Sequence, residues 1–591
     1  MSKTEENFFE YLNFFEKSNI NNRAFFIDKC NTFYSDDFVL KYAYNLDKNF
    51  FPFRDDLFSF KDSAFLLNEN IKAYISNMSF LHKEFQSNNL LGNFSFSFFE
   101  NDIIFMLPEI FLSFCILFSI CFFVILGNSK KFKFPFLSYS CGLFFFYSFF
   151  LTFFLIFNSL NLDTFCFFFH FNNNFFTNLV KLFLIFSSFF CILFSLDYMK
   201  KDNLEIFEFF FIFSLSILGM FFLISSFSFV SFYLAIELQS LSLYILASLK
   251  KNSNFSTEAG LKYFILGSLA SCILLFGISL IYGFSGIIFF DDLAHLNIVL
   301  FNFVEYSFFN GLILGLLLLS VGLFFKIGAA PFHVWIPDVY EGVPLLVTAI
   351  FAIIPKIVII NFILLFFSSF FSSFFFFWHK WFIFLSFFSF IVGTFGALYQ
   401  IKIKRLLAYS AISHVGFLCL GLSLNTVEGF QSVFFYILIY VLLSILFFTI
   451  IFCLKRYNNN TRIYNILDLQ NLFKVNPFFS LIFCLTLFSI AGIPPLMGFF
   501  SKFFIFLASI KESFYFISLF SLFLSVVSSF YYIRLIKLIF FEKNSSWIFL
   551  TPFSKNFSLI LIFLTFLNLF FFLYPVFFLE IAYKSSLILF F

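Results

Sequence analysis

Charge is what this chain has little of. Only 12% of its 591 residues are Asp, Glu, Lys or Arg, against about 25% in a soluble globular protein, and that excludes a soluble globular fold. Ten cysteines are scattered, and C-x-x-C occurs nowhere, so a zinc or iron–sulfur site built from local cysteine spacing is excluded. G-x-G-x-x-G and G-x-x-x-x-G-K-[ST] are missing too, and nothing points to nucleotide binding. The net charge is +3 with no long basic tract, so no nucleic-acid partner is expected. The start, MSKTEENFFEYLNFF, has neither the apolar core of a signal peptide nor the Arg-rich, acid-poor character of a transit peptide. The product is expected to be made in the compartment where it inserts.

What is there instead is apolar. Hydrophobic residues make up 61% of the chain, and mean hydropathy is +0.96. Phenylalanine alone contributes 124 residues. Phe, Leu and Ile are interchangeable against lipid, so drift toward T-rich codons in a small AT-biased genome, such as an organelle's, accounts for the excess better than a cofactor stripe.

Residues 1–102 differ from the rest. The first 100 hold 14 acidic and 10 basic residues, leaving no uncharged stretch of the ~20 residues a helix needs to span a bilayer. They read as an extramembrane extension. Beyond them the sequence predicts an all-α polytopic membrane protein with about fourteen spans: 103–127, 134–157, 176–197, 206–227, 229–249, 260–283, 307–330, 343–367, 379–399, 404–423, 430–454, 475–508, 512–540 and 556–580. Loops after odd-numbered spans hold 18 Lys and Arg residues; loops after even-numbered spans hold Lys380 and Lys511, with Lys181 close to a third. A miscounted span would scramble that alternation. By the positive-inside rule the odd loops face matrix or cytoplasm, and both termini face the other side.

Four ionisable residues interrupt the spans: Glu237, Lys326, Lys356 and Lys502. A charge at the bilayer centre costs about 2.5–3.5 kcal/mol even on insertion scales, and such residues mark ion or proton pathways. Burial disfavours the charged form of any ionisable group, which brings carboxylates and ammoniums alike toward proton exchange. The competing reading for Lys326 and Lys502 is snorkelling to the interface; Lys356, in mid-span, is badly placed for it. Glu237 lies about eight residues from either end of its span, too deep for an interfacial helix-end residue. Lys262 lies at the positively charged end of its span, where the positive-inside bias alone accounts for it equally well. His333 and His414 could shuttle protons near neutral pH or could be satisfied core histidines. Asp338 and Glu341 read as solvated or capping loop residues, and Glu109 as structural.

Two spans carry helix breakers. The seventh runs into Lys326-Ile327-Gly328-Ala329-Ala330-Pro331, and the twelfth holds Ala491-Gly492-Ile493-Pro494-Pro495 shortly before Lys502. Glu237 to Lys326 is 89 residues and His414 to Lys502 is 88. Broken helices in corresponding places of two halves point to a transport site between repeats.

The segments AIELQSLSLYILASLKKNSNFSTEAGLKYFILGSLASCILLFGISLIYG (235–283), GLFFKIGAAPFHVWIPDVYEGVP (322–344), IKRLLAYSAISHVGFL (403–418) and FSIAGIPPLMGFFSKFFIF (488–506) resemble the subunit 2 family of NADH dehydrogenase, the antiporter-like subunits of respiratory complex I. The resemblance covers roughly 103–580. It implies fourteen helices, with helices 7 and 12 broken and two inverted five-helix repeats. The corresponding division is 103–200 for an N-terminal three-helix segment, 201–370 and 371–545 for the repeats, and 546–591 for a C-terminal helix. Lys502 stands where sister subunit 4 usually has Glu, and the stop at Phe591 leaves no room for the lateral helix of subunit 5. By the same resemblance Glu237, Lys326, Lys356 and Lys502 match the family's charged positions on helices 5, 7, 8 and 12, and Lys262, His333 and His414 fall on its hydrophilic axis. The function implied is proton translocation coupled to quinone reduction elsewhere in the complex. No cofactor would be bound by this chain; NADH, flavin, iron–sulfur clusters and ubiquinone would belong to other subunits. The partners implied are other complex I membrane subunits, accessory subunits on the extension, and lipid. The location implied is the mitochondrial inner membrane with both termini in the intermembrane space, or else a bacterial or other organelle energy-transducing membrane. A stand-alone cation/proton antiporter and a non-pumping structural subunit are the alternatives. Residues 1–102 have no counterpart in the bacterial-type family.

Overall fold

A membrane offers the backbone no water to bond, so each span closes its hydrogen bonds within itself. The computed structural model describes residues 102–127, 136–202, 206–303, 306–457, 461–542 and 549–590. The chain divides into the units Met1–Ser95 and Phe96–Phe591. The expected extension, 1–102, falls outside the described residues except for Asp102.

Helices follow one another almost without interruption: α1 Leu107–Gly127, α2 Phe136–Asn158, α3 Phe175–Asp202, α4 Glu208–Ser225, α5 Phe229–Ala247, α6 Asn254–Ser285, α7 Phe290–Phe303, α8 Tyr306–Ile327, α9 Trp335–Gly342, α10 Leu345–Leu365, α11 Phe375–Leu398, α12 Ile403–Leu422, α13 Val427–Cys453, α14 Pro477–Ala491, α15 Met497–Lys511, α16 Tyr515–Phe540, α17 Lys555–Phe570 and α18 Val576–Phe590. Among the described residues, thirteen helices are long and apolar enough to cross a membrane. The remaining expected span, 475–508, is present as the two shorter helices α14 and α15. Serines are tolerated in these helices because their hydroxyls donate back to their own backbone, as Ser188 does to Ile185 O (2.7 Å) and Ser386 to Ile383 O (2.7 Å).

The expected spans 206–227 and 229–249 meet where α4 stops at Ser225 and α5 starts at Phe229. Ser228 makes this abrupt junction possible. Its hydroxyl accepts the Ser231 N–H while the Ser231 side chain accepts the Ser228 N–H, a reciprocal cap that satisfies two otherwise orphaned donors.

Two elements were not expected. A hairpin, β1 Thr164–Cys166 with β2 Phe171–Asn173, lies between α2 and α3. Its turn carries Phe167, Phe168 and Phe169 at φ of 51°, 55° and 64°, and the Phe167 N–H donates to Asp102 Oδ2 at 3.1 Å. The second is α18, cut from the preceding apolar run at Tyr574-Pro575.

α10 and α13 form the centre: 94% of the spanning window of each is buried, against 22% for α1. Around them, small residues let helices approach closely. On α6, a Cβ at Gly277 would stand 2.6 Å from Leu319 N and 2.8 Å from Gly315 O of α8.

Both expected breaks are present, and they match atom for atom. At the end of α8, Gly328 takes φ +80°; its N–H donates to Phe324 O (2.8 Å), and the Ala329 N–H donates to the same oxygen (3.0 Å). At the end of α14, Gly492 takes φ +91°; its N–H and that of Ile493 donate to Phe488 O (3.0 and 3.1 Å). A left-handed residue just past the helix end is the Gly-specific way of closing a helix. The bonds Ala330–Pro331 and Pro494–Pro495 are both cis.

Candidate functional site

The break after α8 leaves Lys326 in that helix's last turn, 8% exposed. Its Nζ donates to the Tyr244 hydroxyl of α5 at 3.1 Å. Trp335, at the start of α9, donates its indole N–H to Phe325 O at 2.9 Å, an oxygen that also accepts the Gly328 N–H at 3.1 Å, and so ties α9 back onto the end of α8.

Glu237 and Lys326 make no direct contact. Among the described residues no carboxylate lies within ion-pair distance of Lys326. The reason is geometric. Glu237 sits seven residues before Tyr244 on α5, about 10 Å along the axis. The two are joined instead through Ser240: its hydroxyl is 3.2 Å from Glu237 Oε2 and lies against Tyr244. Glu237 Oε1 is buried with no hydrogen-bond partner.

Lys356 lies halfway along α10, 3% exposed. Its Nζ donates to the Tyr440 hydroxyl at 3.0 Å and to Ala411 O at 3.4 Å, and Tyr440 in turn donates to Ala352 O at 3.2 Å. One turn from Tyr440 on α13, Tyr436 shares a 2.6 Å hydrogen bond with His414 Nδ1 of α12. Lys502, on α15 and 7% exposed, reaches back across the second break. It donates to Ala491 O, a freed carbonyl at the end of α14, at 2.7 Å. At these exposures none of the three lysines snorkels to an interface.

A cavity of about 50 Å³ opens between these groups. His414, Tyr436, Tyr440, Lys502, Tyr340 and Tyr532 are among its lining residues. Since one water needs about 10–15 Å³ of such space, the cavity has room for a short water chain from the Lys356–Tyr440 pair to Lys502. The partners of Lys356 and Lys502 are all neutral oxygens. Such a lysine can release its proton without stranding a buried carboxylate and can take one back from water.

Two sequence candidates stand apart from this line. Lys262 is 45% exposed and pairs with Glu258 at 2.7 Å and Asp338 at 3.4 Å. His333 lies half-buried in the turn between α8 and α9, its Nδ1 without a hydrogen-bond partner. Asp338 and Glu341, expected as solvated or capping loop residues, are on a helix rather than in a loop, the Asp338 side chain 42% exposed and that of Glu341 20%. They lie on α9, where Asp338 binds Lys262 of α6 and Arg405 of α12, and Glu341 binds Lys402 and Arg405. Lys404 completes this clamp by donating to the α9-terminal carbonyls of Glu341 and Val343, where a cation also complements the helix dipole. Glu109 is structural in the sense expected: it pairs with Lys181 at 2.5 Å, and both are 1% exposed.

Sequence reasoning missed Tyr244, Tyr436, Tyr440 and Ser240. The available signal was spacing: Glu237, Ser240 and Tyr244 fall at i, i+3 and i+7 on one helix face, and Tyr436 and Tyr440 at i and i+4. Among the described residues, no three His, Cys, Asp or Glu side chains come together as a metal cage.

Residues 226–528 match the family described as NADH:quinone oxidoreductase/Mrp antiporter, TM. The chain is 40% identical over 493 residues to the NADH-ubiquinone oxidoreductase chain 2 of Marchantia polymorpha, covering 81% of this chain and 96% of that one. It is 37% identical over 401 residues to the NADH-quinone oxidoreductase subunit N of Parvibaculum lavamentivorans, covering 68% of this chain and 81% of that one. Among solved structures, a chain of respiratory complex I from Thermus thermophilus superposes with a TM-score of 0.64 at 26% identity, over 80% of this chain and 98% of that one. A chain of the Mrp complex from a Dietzia species superposes with a TM-score of 0.68 at 16% identity, over 83% of this chain and 98% of that one, a likeness of fold alone.

Proposed function

The chain belongs to the NADH:quinone oxidoreductase/Mrp antiporter family of membrane subunits, and from that membership we propose that it is the antiporter-like subunit 2 of respiratory complex I and moves protons along the line Glu237, Lys326, Lys356, His414, Lys502. The observation that carries the reading is the cavity between Tyr440, the partner of Lys356, and Lys502, with each lysine held by neutral oxygens. Charge arriving near Glu237 would be felt at Lys326 through Ser240 and Tyr244. Lys356 would pass a proton through Tyr440, cavity water and His414 to Lys502, and Lys502 would release it. Lys262 and His333 would serve the approaches to this line rather than the line itself.

The chain would carry no redox centre of its own. The missing C-x-x-C supports that reading, with NADH, flavin, iron–sulfur clusters and ubiquinone held elsewhere. Partners would be the other membrane subunits of complex I, with accessory subunits on residues 1–102. The membrane would be the mitochondrial inner membrane, the positive loops in the matrix and both termini outside.

The test is the pumped-proton to electron ratio of the assembled complex in sealed vesicles. Lys502→Met and Lys356→Met should each lower that ratio while the complex still assembles and oxidises NADH. An unchanged ratio in both variants would sink the assignment, and a chain that purifies without a NADH-oxidising assembly would favour the stand-alone antiporter.

A further inference from the structure

α6 carries a glycine that its backbone does not need. Gly267 is buried inside the helix and is not among the glycines with positive φ. Glycine in a helix interior costs about 1 kcal/mol relative to alanine. What the position uses is the room left by the missing side chain. A Cβ at Gly267 would stand 2.1 Å from the Tyr244 hydroxyl and 2.6 Å from the ring carbon that bears it. Other close approaches along α6 are of a different kind. At Gly277 the Cβ would meet backbone atoms of α8, and at Gly260 it would meet Ser248.

Tyr244 has little freedom to step aside. Tyr263, one turn before Gly267, stands edge-on to its ring with centroids 4.7 Å apart, and Phe264 does so at 5.6 Å. Tyr263 in turn stacks on Trp335 at 4.7 Å, and Trp335 is tied to Phe325 O. The ring is pinned between α6 and the first break. Its hydroxyl meets Lys326 Nζ at 3.1 Å and the side chain of Ser240. Ser240 has two acceptors in reach, Glu237 Oε2 at 3.2 Å and the Glu237 backbone oxygen at 3.1 Å. With Lys326 charged, the ammonium donates to Tyr244, Tyr244 donates to Ser240, and Ser240 donates to the carboxylate. With Lys326 neutral, Tyr244 turns its proton to the amine and Ser240 returns to its backbone acceptor. Only hydrogen bonds change, and they change only while the Tyr244 hydroxyl stays within reach of both neighbours.

We propose that Gly267 is a positioning residue for the coupling of Glu237 to Lys326: its bare backbone is the notch that seats the Tyr244 hydroxyl between Ser240 and Lys326. Alanine there would drive the hydroxyl more than about 1 Å away to reach ordinary contact near 3.5 Å. A bond already 3.1 Å long ceases to be one beyond about 3.5 Å. The proposal rests on the proton-pumping reading above.

Gly267→Ala, Tyr244→Leu and the double variant test it in the assembled complex. Leucine removes the hydroxyl and the ring carbons that the added Cβ would strike. The positioning role predicts normal NADH oxidation in all three. It also predicts a proton-to-electron ratio lowered in Gly267→Ala as far as in Tyr244→Leu, and no lower in the double variant, because residues that act as one unit do not add. A glycine that served helix packing alone would leave the ratio normal in Gly267→Ala or lower it further in the double variant, and either result overturns the proposal. If Gly267→Ala does not assemble, the double variant decides: recovered assembly ties the notch to Tyr244, and continued failure overturns it. Normal ratios in all three beside a lowered one in Lys502→Met overturn the Tyr244 coupling alone. A normal ratio in Lys502→Met as well overturns the pumping reading with it.

Discussion

Glu109 and Lys181 show what a single ion pair does in lipid. Lys181 Nζ is 2.5 Å from Glu109 Oε1 and 2.6 Å from Asn173 Oδ1, and it ties α1 to α3 beside the hairpin. Removing one partner strands a buried charge, at a cost of about 3–5 kcal/mol, whereas replacing both by apolar groups of similar volume is often neutral. Lys181→Ala should therefore lower the thermal unfolding midpoint of the purified complex, and Glu109→Leu/Lys181→Met should recover most of it. Equal midpoints for the single variant and the parent chain would show that the pair does not hold these helices together. Lys326→Arg poses a different question, because guanidinium keeps its charge at any physiological pH. The variant should assemble and still fail to pump; full pumping would remove Lys326 from the line. The four intramembrane charges were legible in the sequence because lipid penalises each one singly. Their tyrosine partners were not. A Tyr in a chain with 25 Tyr and 124 Phe carries no mark of its own. What distinguishes Tyr244 and Tyr440 is a lysine 82 or 84 residues away on another helix.

At the scale of elements, the two breaks turn chain direction into chemistry. Gly492 holds φ +91°, and a Cβ there would meet the Lys502 side chain at 3.0 Å. A non-glycine residue in the left-handed region costs about 1–2 kcal/mol. Gly492→Ala should disturb the Lys502 bond to Ala491 O and reduce pumping. Gly283→Ala, in α6 with nothing within 4 Å of its Cβ, should leave pumping intact and stabilise that helix by up to about 1 kcal/mol. Comparable pumping in the two variants would show that the break's geometry does not matter to function. The breaks could be read directly from Gly and Pro. The hairpin could not, since its turn is made by Phe167, Phe168 and Phe169 rather than glycine. α18 hid in an apolar run that Pro575 alone divides.

At the scale of the whole molecule, the 18-to-2 distribution of loop cations fixes an expected sidedness. Protease applied only to the matrix or cytoplasmic face should leave the first 100 residues uncut, and cleavage from that face would overturn the topology. The loop charges carry that expectation but give no sign of the α9 clamp, because Asp338 and Glu341 find their cations on α6 and α12.

The clamp has an electrical consequence. It joins the start of α12 to the chain just before α10, with Lys404 bound to Val343 O, so the two helices begin at one level. Lys356 and His414 each lie eleven residues in, at an equal depth of about 16 Å. One elementary charge carried across the whole bilayer works against the membrane voltage by about 2.3 kcal/mol per 100 mV. On the proposed line, a proton passing from Lys356 to His414 would travel sideways and meet almost none of that. The steps that take protons up from one side and release them on the other therefore do the work against voltage, and the sensitivity of turnover to membrane potential belongs to them.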